Sequence, residues 1–301
     1  MTIYGIGLRR CLMIKSCKRL FWSMKMIIKE LEEFKSEQKG DTLVFADIPN
    51  PVYHSGVGIS SSKIRAFGKS QLHAIEKVQE TTPAMNFGTA AHALLVEGEK
   101  EFNDTVAVVM GSPYTNANKE LKKEYEERGL TVIKENEMKA IKGMKEHMIE
   151  EGNIYLNAEG KVAEASFYWY EGEVLCKCRP DVICPPVQSP YPDNAICVVD
   201  YKTTQSCDPV EFAYSVKKYG YDMQAAWYRR GMEAAGFKLD EFVFVAQEKA
   251  YPYASKVFLI SKEQMNYGWE KMEGFLELYK NHSEGGHLSV YNSPNIVTLT
   301  L

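Results

Sequence analysis

Two neighbouring segments in the middle of the chain alternate apolar and polar residues with a period of two. Residues 162–170 (VAEASFYWY) and residues 173–183 (EVLCKCRPDVI) lie on either side of Glu171-Gly172. Successive side chains of a strand point to opposite faces of a sheet, and glycine is favoured in the tight turns that join antiparallel strands. The pattern therefore predicts a β-hairpin, and the fold must accommodate an antiparallel pair at this point.

The segments that surround this hairpin predict a mixed α/β fold. Before it, helices are expected over residues 27–38, within the serine-capped stretch 52–78, over 86–97 closed by Gly98, over 118–128, and over 134–151 stopped by Gly152. After it, strands are expected at 196–201, 241–248 and 253–260, and helices from Asp208-Pro209, over 221–235 and over 262–281. This order predicts a mixed central sheet flanked by helices, with an N-terminal helical region.

The composition is typical of a soluble globular protein with one sizeable core. Of the 301 residues, 45% are apolar and 12% are aromatic. No window holds the roughly 18 uninterrupted apolar residues that a membrane-spanning helix needs. Seven cysteines at irregular spacing do not form the framework of a small secreted protein, so we expect a reducing cytoplasm. We expect one domain over residues 24–301.

The first residues of the chain differ in charge from the rest. Residues 1–26 contain no acidic residue and six basic ones: Arg9, Arg10, Lys15, Lys18, Arg19 and Lys25. We expect residues 1–23 to be a disordered basic arm, or a segment upstream of the natural start. Because the whole chain carries a net charge of −4, the remainder without these six charges carries −10. A net-acidic body is not a general nucleic-acid coat, and contact with DNA would need a local basic channel.

A carboxylate and an ammonium interrupt an apolar strand pattern in ICVVDYKTTQ, residues 196–205. Asp200 and Lys202 are two residues apart, so both side chains lie on the same face of the expected strand. Burying two charges is costly unless each has a partner. A plain Asp–Lys salt bridge at the end of a strand is one explanation, because an isolated D-x-K pattern is common.

A second acid upstream favours a catalytic explanation. Pro180-Asp181 follows the second predicted hairpin strand, and neighbouring strands that end together would place Asp181 beside Asp200 and Lys202. Two carboxylates can bind a hard cation such as Mg²⁺, or Mn²⁺ in its place, and the backbone carbonyl of Tyr201 is placed to be a further ligand. A cation and a lysine can together orient a water and stabilise the charge of phosphodiester hydrolysis. The sequence therefore predicts a metal-dependent phosphodiester hydrolase.

These motifs resemble the PD-(D/E)xK nuclease superfamily. The PD pair is Pro180-Asp181, and D-x-K runs from Asp200 to Lys202. Gln224 and Tyr228 form the Q-x-x-x-Y spacing of the RecB-like branch. The segments HSGVGISSSKIR, GTAAHALLVE, EASFYW and CKCRPD, in this order, extend the resemblance from about residue 50 to 280. The whole arrangement is similar to the exonuclease VIII (RecE-type) proteins of phages and prophages.

The resemblance implies a restriction-endonuclease-like core and a role for each matching residue. His92 and Asp181 would bind a metal beside Asp200, Lys202 would be the catalytic lysine, and Glu164 would be a secondary acid near the metal or the DNA end. Gln224 and Tyr228 would support the site or contact the scissile strand. Purely structural roles are also open, because His92 could be a packed helix histidine, Glu164 a solvated strand residue and Tyr228 a core residue.

The resemblance also implies the reaction. It indicates a Mg²⁺-dependent exodeoxyribonuclease that degrades one strand of linear double-stranded DNA from 5′ to 3′, working in recombination with a single-strand annealing protein of the RecT type. A ring-shaped homotetramer is expected, since a ring threaded by DNA would let a net-acidic body stay bound. An endonuclease or repair nuclease on the same fold is an alternative, and so is a catalytically silent DNA-binding assembly module.

The cysteines are a separate candidate for metal binding. Five of them lie in the middle of the chain: Cys176, Cys178, Cys184, Cys197 and Cys207. A Cys-x-Cys pair on one strand face is poorly suited to hold one ion. We therefore expect these side chains to be small buried hydrophobic groups, and not ligands of zinc or an iron–sulfur cluster.

Overall fold

The structure is a computed structural model that describes residues 36–39, 42–46, 48–76, 81–112, 114–186, 195–283 and 288–291. The expected basic arm at residues 1–23 lies outside these ranges, as does most of the helix predicted for residues 27–38. The last residues of that predicted helix lie in a strand, Ser36–Lys39, so the prediction is wrong there. Antiparallel pairing with Thr42–Phe45 outweighs the helical pattern of this short segment.

The described chain contains both strands and helices. The strands are β1 (Ser36–Lys39), β2 (Thr42–Phe45), β3 (Ile59–Ser60), β4 (Val106–Val109), β5 (Thr131–Lys134), β6 (Val162–Ala163), β7 (Ser166–Glu171), β8 (Val174–Cys178), β9 (Val182–Cys184), β10 (Ala195–Thr204), β11 (Lys238–Glu248) and β12 (Ser255–Leu259). The helices are α1 (Asn50–Ser55), α2 (Ser61–Lys69), α3 (Gln71–Glu76), α4 (Pro83–His92), α5 (Glu99–Thr105), α6 (Asn116–Glu127), α7 (Glu135–Glu146), α8 (Glu150–Leu156), α9 (Pro209–Tyr219), α10 (Tyr221–Ala234) and α11 (Lys262–Ser283). A π-helical turn, Ala93–Glu97, continues α4.

The described strands form two five-stranded sheets and one short parallel pair. The first sheet has the order β1-β2-β7-β8-β3, the second has the order β12-β11-β10-β9-β6, and β4 pairs with β5. Parallel and antiparallel pairs occur in both large sheets: β10 is parallel to β11 and antiparallel to β9, and β3 is parallel to β8 in the first sheet. The fold is therefore of the expected mixed α/β class.

The predicted hairpin is confirmed, but its two strands are shorter than the alternation suggested. β7 and β8 pair in antiparallel register around Gly172, whose φ of 61° lies in the left-handed region that glycine tolerates. The outer ends of the pattern form β6 and β9, which belong to the second sheet. The hairpin therefore supplies strands to both large sheets, and the chain crosses between them twice.

One helix boundary was predicted wrongly. The helix expected over residues 134–151 ends at Glu146, and a separate helix, α8, contains Gly152. A β-carbon at Gly152 would approach the Met148 sulfur at 2.6 Å and a Val245 methyl at 3.3 Å. The glycine is therefore explained by close packing against the sheet and not by the end of a helix.

The central strand β10 has both faces buried. Ile196 and Val198 belong to a hydrophobic cluster formed with α9, α10 and α11, whereas Cys197, Val199 and Tyr201 belong to a second cluster formed with α4, the π-helical turn, α7 and α8. The five cysteines of the middle of the chain are buried free thiols in or beside these clusters. Within the described part of the chain, none of the helices could span a lipid bilayer.

Candidate active site

The candidate site lies where the chain crosses between the two large sheets. Glu164 and Ala165 separate β6 in the second sheet from β7 in the first, and Arg179, Pro180 and Asp181 separate β8 from β9. The Glu164 N–H donates to the Asp181 carbonyl at 3.2 Å, which holds the two crossings together. Glu164 has a φ of 54°, an uncommon conformation for a residue with a β-carbon. Such backbone positions are frequent at functional sites.

Three potential ligands converge at this crossing. His92, the last residue of α4, brings Nε2 to 3.4 Å from Glu164 Oε1 and to 3.4 Å from Asp181 Oδ1. All three side chains are partly buried, with 15 to 20% of each exposed. On the other edge of the imidazole, Nδ1 lies 3.1 Å from Glu97 Oε1. His92 therefore has carboxylates on both sides of its ring.

The strand pair β9–β10 brings the D-x-K motif to the same place. Asp181 precedes β9, and its Oδ2 accepts a hydrogen bond from the Tyr201 N–H at 2.7 Å. This bond leaves Asp181 Oδ1 facing His92. On β10, Lys202 Nζ forms a close ion pair with Asp200 Oδ2, and Asp200 is fully buried. The acid–acid–lysine set is thus assembled by one backbone hydrogen bond and one ion pair.

Residues of α10 close the site on the opposite side. Gln224 Nε2 donates to Asp200 Oδ1 at 2.8 Å and lies 3.0 Å from the Tyr228 hydroxyl. The ring of Tyr221 covers Lys202, with Nζ 4.9 Å from the ring centroid. Both Asp200 oxygens therefore have partners, one a lysine and the other an amide, which fixes the orientation of the carboxylate.

A buried arginine supports the Glu164 side of the site. Arg179 Nη1 lies 3.8 Å from Glu164 Oε2, and the guanidinium stacks on the ring of Tyr53 at 4.1 Å. Its other contacts are hydrogen bonds of 2.8 to 2.9 Å to Ser166 Oγ, Asn50 Oδ1 and the Ile48 carbonyl. Arg179 therefore connects the chain around α1 to the acid, and its hydrogen bonds offset the cost of burying its charge.

The electrostatics of the cluster favour a proton on His92 when no cation is bound. Burial alone would lower the pKa of His92, but the carboxylates of Asp181 and Glu97 outweigh it and raise the pKa well above its ordinary value. Burial would raise the pKa of Asp181, but His92 and Lys202 hold it below its usual range. The imidazolium thus supplies positive charge beside the carboxylates of the cluster.

The pKa values of Glu164, Asp200 and Lys202 are also shifted by burial and by neighbouring charges. Burial raises the pKa of Glu164 to about 8, against the attraction of His92, and raises the pKa of Asp200 to about 6, against the attraction of Lys202. Burial would lower the pKa of Lys202, but Asp200 and Asp181 raise it above its ordinary value. Lys202 is therefore an ammonium ion at neutral pH.

The residues present fit a divalent metal ion. The ligand atoms of His92, Glu164 and Asp181 all lie within 4.8 Å of one another, and the fully buried carboxylate of Asp200 is adjacent to Asp181 through Tyr201. An imidazole nitrogen with several carboxylate oxygens is a ligand set that suits hard and borderline cations such as Mg²⁺ and Mn²⁺. Proton loss from His92 and Glu164 would accompany binding.

The structure brings the predicted site residues to one place, with two differences from expectation. Asp200 and Lys202 do not end their strand, because β10 continues to Thr204 alongside β11. The pairing between β10 and β9 does end here, because Val199 is the last residue of β10 that pairs with β9, opposite Val182. Asp181 likewise follows the hairpin strand β8 by three residues and does not end it. The Tyr201 carbonyl remains a predicted ligand.

The site also contains residues that the sequence motifs do not single out. Glu97, Arg179 and Tyr221 each contact a predicted site residue directly. Glu97 follows His92 by five residues, a spacing that brings two side chains together only in a π-helical turn. Tyr221 lies three residues before Gln224, and this spacing places both side chains on one face of a helix. The position of Gln224 in the motif therefore also indicates Tyr221 as a residue of the site.

Comparisons with known proteins agree with this geometry. A family model described as "PDDEXK-like domain of unknown function (DUF3799)" matches residues 60–293. A crystal structure of a protein from Eubacterium rectale, described as a "Putative exonuclease", superposes with a TM-score of 0.57 at 13% sequence identity, covering 85% of this chain and 96% of that chain. At this identity the likeness shows the fold alone. No curated protein sequence matches the chain. Since the family model spans more than half of the chain and includes the whole candidate site, the chain belongs to the PDDEXK-like DUF3799 family.

Proposed function

We propose that this protein is a divalent-metal-dependent exodeoxyribonuclease that hydrolyses one strand of linear double-stranded DNA. Family membership and the Eubacterium rectale protein of the same fold support a nuclease. The observation that carries the proposal is the ion pair of Lys202 with Asp200 beside the His92–Glu164–Asp181 cluster. A structural salt bridge alone would not explain why three further titratable groups converge on the same buried position.

The arrangement supplies what phosphodiester hydrolysis requires. His92, Glu164, Asp181 and Asp200 would hold a divalent cation, which would supply Lewis-acid polarisation of the phosphate and a more acidic water. The Lys202 ammonium lies beside this position and stabilises the negative charge that develops on the transferred phosphoryl group. The proton lost by the attacking water leaves to solvent, and the departing sugar oxygen takes one up. The fixed partners of Asp200 and Asp181 keep both carboxylates oriented throughout.

The finer features of the proposal come from the sequence resemblance. We propose Mg²⁺ as the natural ion with Mn²⁺ as a substitute, 5′ to 3′ polarity, and a role in phage-type recombination beside a RecT-like annealing protein. We also propose a ring-shaped homotetramer, because enclosure would hold a polyanion to a chain of net charge −4.

The proposal is tested by comparing linear DNA with covalently closed circles of the same sequence. Purified protein with Mg²⁺ should shorten end-labelled linear duplex from its ends, should leave closed circles intact, and should do neither in EDTA. Nicking of the circles would favour an endonuclease on the same fold. Binding of both DNAs without any Mg²⁺-dependent cleavage would favour the silent assembly module.

A further inference from the structure

One surface next to the candidate site combines exposed aromatic rings with lysines. Helix α9 buries Phe212, yet leaves 71% of Tyr214 and 52% of Tyr219 exposed, and its last turn carries Lys217 and Lys218. Lysines in the last turn are already favoured by the helix dipole, so they do not by themselves require a ligand. The helix dipole does not account for the exposed tyrosine rings, and their apolar area gains free energy when it is covered.

The surface is continuous with the site through a stack of aromatic rings. The rings of Tyr219 and Tyr221 stack with centroids 5.7 Å apart and an interplanar angle of 29°. The ring of Tyr221 in turn covers Lys202 at 4.9 Å. Lys218 Nζ lies 5.2 Å from the centre of the Tyr219 ring. The exposed Tyr219 ring therefore packs directly on the residue that covers the proposed catalytic lysine.

The junction between α9 and α10 is held in a fixed position. Arg65 of α2 donates through Nη1 to the carbonyls of Tyr219 and Gly220, the second at 2.9 Å, and through Nε to the Ser61 carbonyl at 3.1 Å. Gly220 has a φ of 65°, and a β-carbon there would approach the Met223 methyl at 2.5 Å. The Tyr219 ring is thus presented by a rigid turn, which lowers the entropy cost of binding.

We propose that Tyr214, Lys217, Lys218 and Tyr219 form a platform for a single DNA strand, and we name it the α9 platform. Lys217 and Lys218 share a helix face with Tyr214, which precedes them by three and four residues, and Lys218 in turn lies beside the Tyr219 ring at the helix end. Bases stack on the tyrosine rings, and the lysines pair with the phosphates between them. Single-stranded DNA fits this surface because aromatic faces stack with any base and the positive charge complements a polyanion. This proposal rests on the proposed function, since it makes the platform the path of the strand that reaches Lys202.

The test measures DNA binding without metal, so that it does not depend on cleavage. Fluorescence anisotropy in EDTA follows a labelled 20-nucleotide oligo(dT) strand binding to the wild-type chain and to single variants. Tyr219→Ala and Tyr214→Ala should each weaken binding by about 10-fold, the loss expected for one stacked base. Tyr219→Phe keeps the ring and should bind as wild type. Tyr114→Ala removes a tyrosine that is 80% exposed elsewhere, and it should have no effect.

The lysines are tested by the dependence of binding on salt. Lys217→Ala and Lys218→Ala should each reduce the slope of log affinity against log salt by about 0.7, the value for one phosphate contact on a single strand. Equal slopes for these variants and wild type would overturn the role of the lysines.

Three outcomes separate the platform from its rivals. Wild-type affinity of both Tyr→Ala variants, or no binding of oligo(dT) by the wild-type chain, overturns the platform even if linear DNA is still cleaved. Weakened binding supports it even if the wild-type chain cleaves nothing, in which case the proposed function fails alone. Tyr214→Ala remains informative if loss of the Tyr219 ring disturbs the fold. If the Tyr→Ala variants bind oligo(dT) as wild type does but lose an oligomer that light scattering detects in the wild type, the platform is overturned. The surface is then a contact between copies of the chain.

Discussion

His92 and Glu97 face each other across a π-helical turn, with Nδ1 3.1 Å from Oε1. In an α-helix two residues five positions apart diverge, whereas the wider turn over Ala93–Glu97 brings them together. The carboxylate fixes the ring and its tautomer, because Nδ1–H donates to Glu97 when the ring is neutral. Nε2 is then directed at Glu164 and Asp181 with its lone pair available.

Removal of the Glu97 carboxylate should weaken metal binding while leaving the fold intact. Glu97→Ala should lower Mn²⁺ affinity by about 10- to 100-fold, the usual effect of losing the partner of a ligating histidine. Glu97→Gln, which can still accept a hydrogen bond, should lose less. Calorimetric titration with Mn²⁺ measures both, and Glu124→Ala on the exposed face of α6 is the matched control. Equal affinity in Glu97→Ala and the control would show that Glu97 does not position the histidine.

Replacement of His92 separates a ligand from a packed helix histidine. His92→Ala should weaken Mn²⁺ binding. The melting temperature of the metal-free protein should fall only modestly, because what is lost is the set of contacts with the neighbouring carboxylates and not a packed apolar side chain. The two measurements are calorimetric titration and thermal unfolding in EDTA. A large fall in melting temperature with unchanged Mn²⁺ affinity would favour the packed residue.

The metal-free protein should become less stable as the pH rises above neutrality. The pKa of Glu164 is raised to about 8 and that of His92 is raised well above 6.5, so between pH 6.5 and 8 the folded state holds more protons than the unfolded state. Stability then falls with rising pH, by up to about 1.4 kcal/mol per pH unit for each group. Thermal unfolding in EDTA from pH 6 to 9 measures this slope.

The protons on His92 and Glu164 should also make metal affinity depend on pH. Metal affinity should rise with pH, whereas the stability of the metal-free protein should fall. Mn²⁺ affinity should increase from pH 6 to 8.5, and binding at pH 7 should release protons, because ligands must lose them to bind. Titration in buffers of different ionisation enthalpy counts the released protons. A Glu164→Gln variant should release fewer, and identical release by this variant and wild type would contradict the assignment of Glu164.

Local patterns predicted most of the elements that carry the site. Period-two alternation around Gly172 predicted β7 and β8, the apolar run before Asp200 predicted β10, and Pro209 after Asp208 predicted the start of α9, where Asp208 caps the helix through two backbone N–H groups. These signals are local, since each depends on side-chain periodicity or on caps within a few residues.

Features that depend on tertiary packing were not predictable in the same way. The alternation at residues 162–183 gives no sign that the strands break at Glu164 and Arg179 and cross to a second sheet, because alternation indicates a strand and not the sheet that the strand joins. The sequence pattern predicts a helix stop at Gly152, whereas the role of this glycine is set by its packing against Met148 and Val245 in the folded chain. The π-helical turn that adds Glu97 to the site also has no signature of its own in an apolar run.

The proposed ring has a direct consequence for mass and for competition. Light scattering should give about four times the mass of one chain. Unlabelled linear DNA added after digestion has begun should barely slow molecules that are already threaded. A monomer that the competitor stops at once would contradict the ring and leave the metal site unaffected.

The most direct test of the account compares Lys202→Ala and Asp200→Asn with wild type. End-labelled linear duplex is digested with Mg²⁺ while Mn²⁺ affinity is measured by calorimetry on the same preparations. Lys202→Ala should retain metal affinity and lose about 10²- to 10³-fold in turnover, as for removal of an electrostatic group worth about 3 to 4 kcal/mol in the transition state. Asp200→Asn should lose both metal affinity and turnover, with the fold retained. Undiminished turnover in Lys202→Ala would contradict the catalytic assignment of this site.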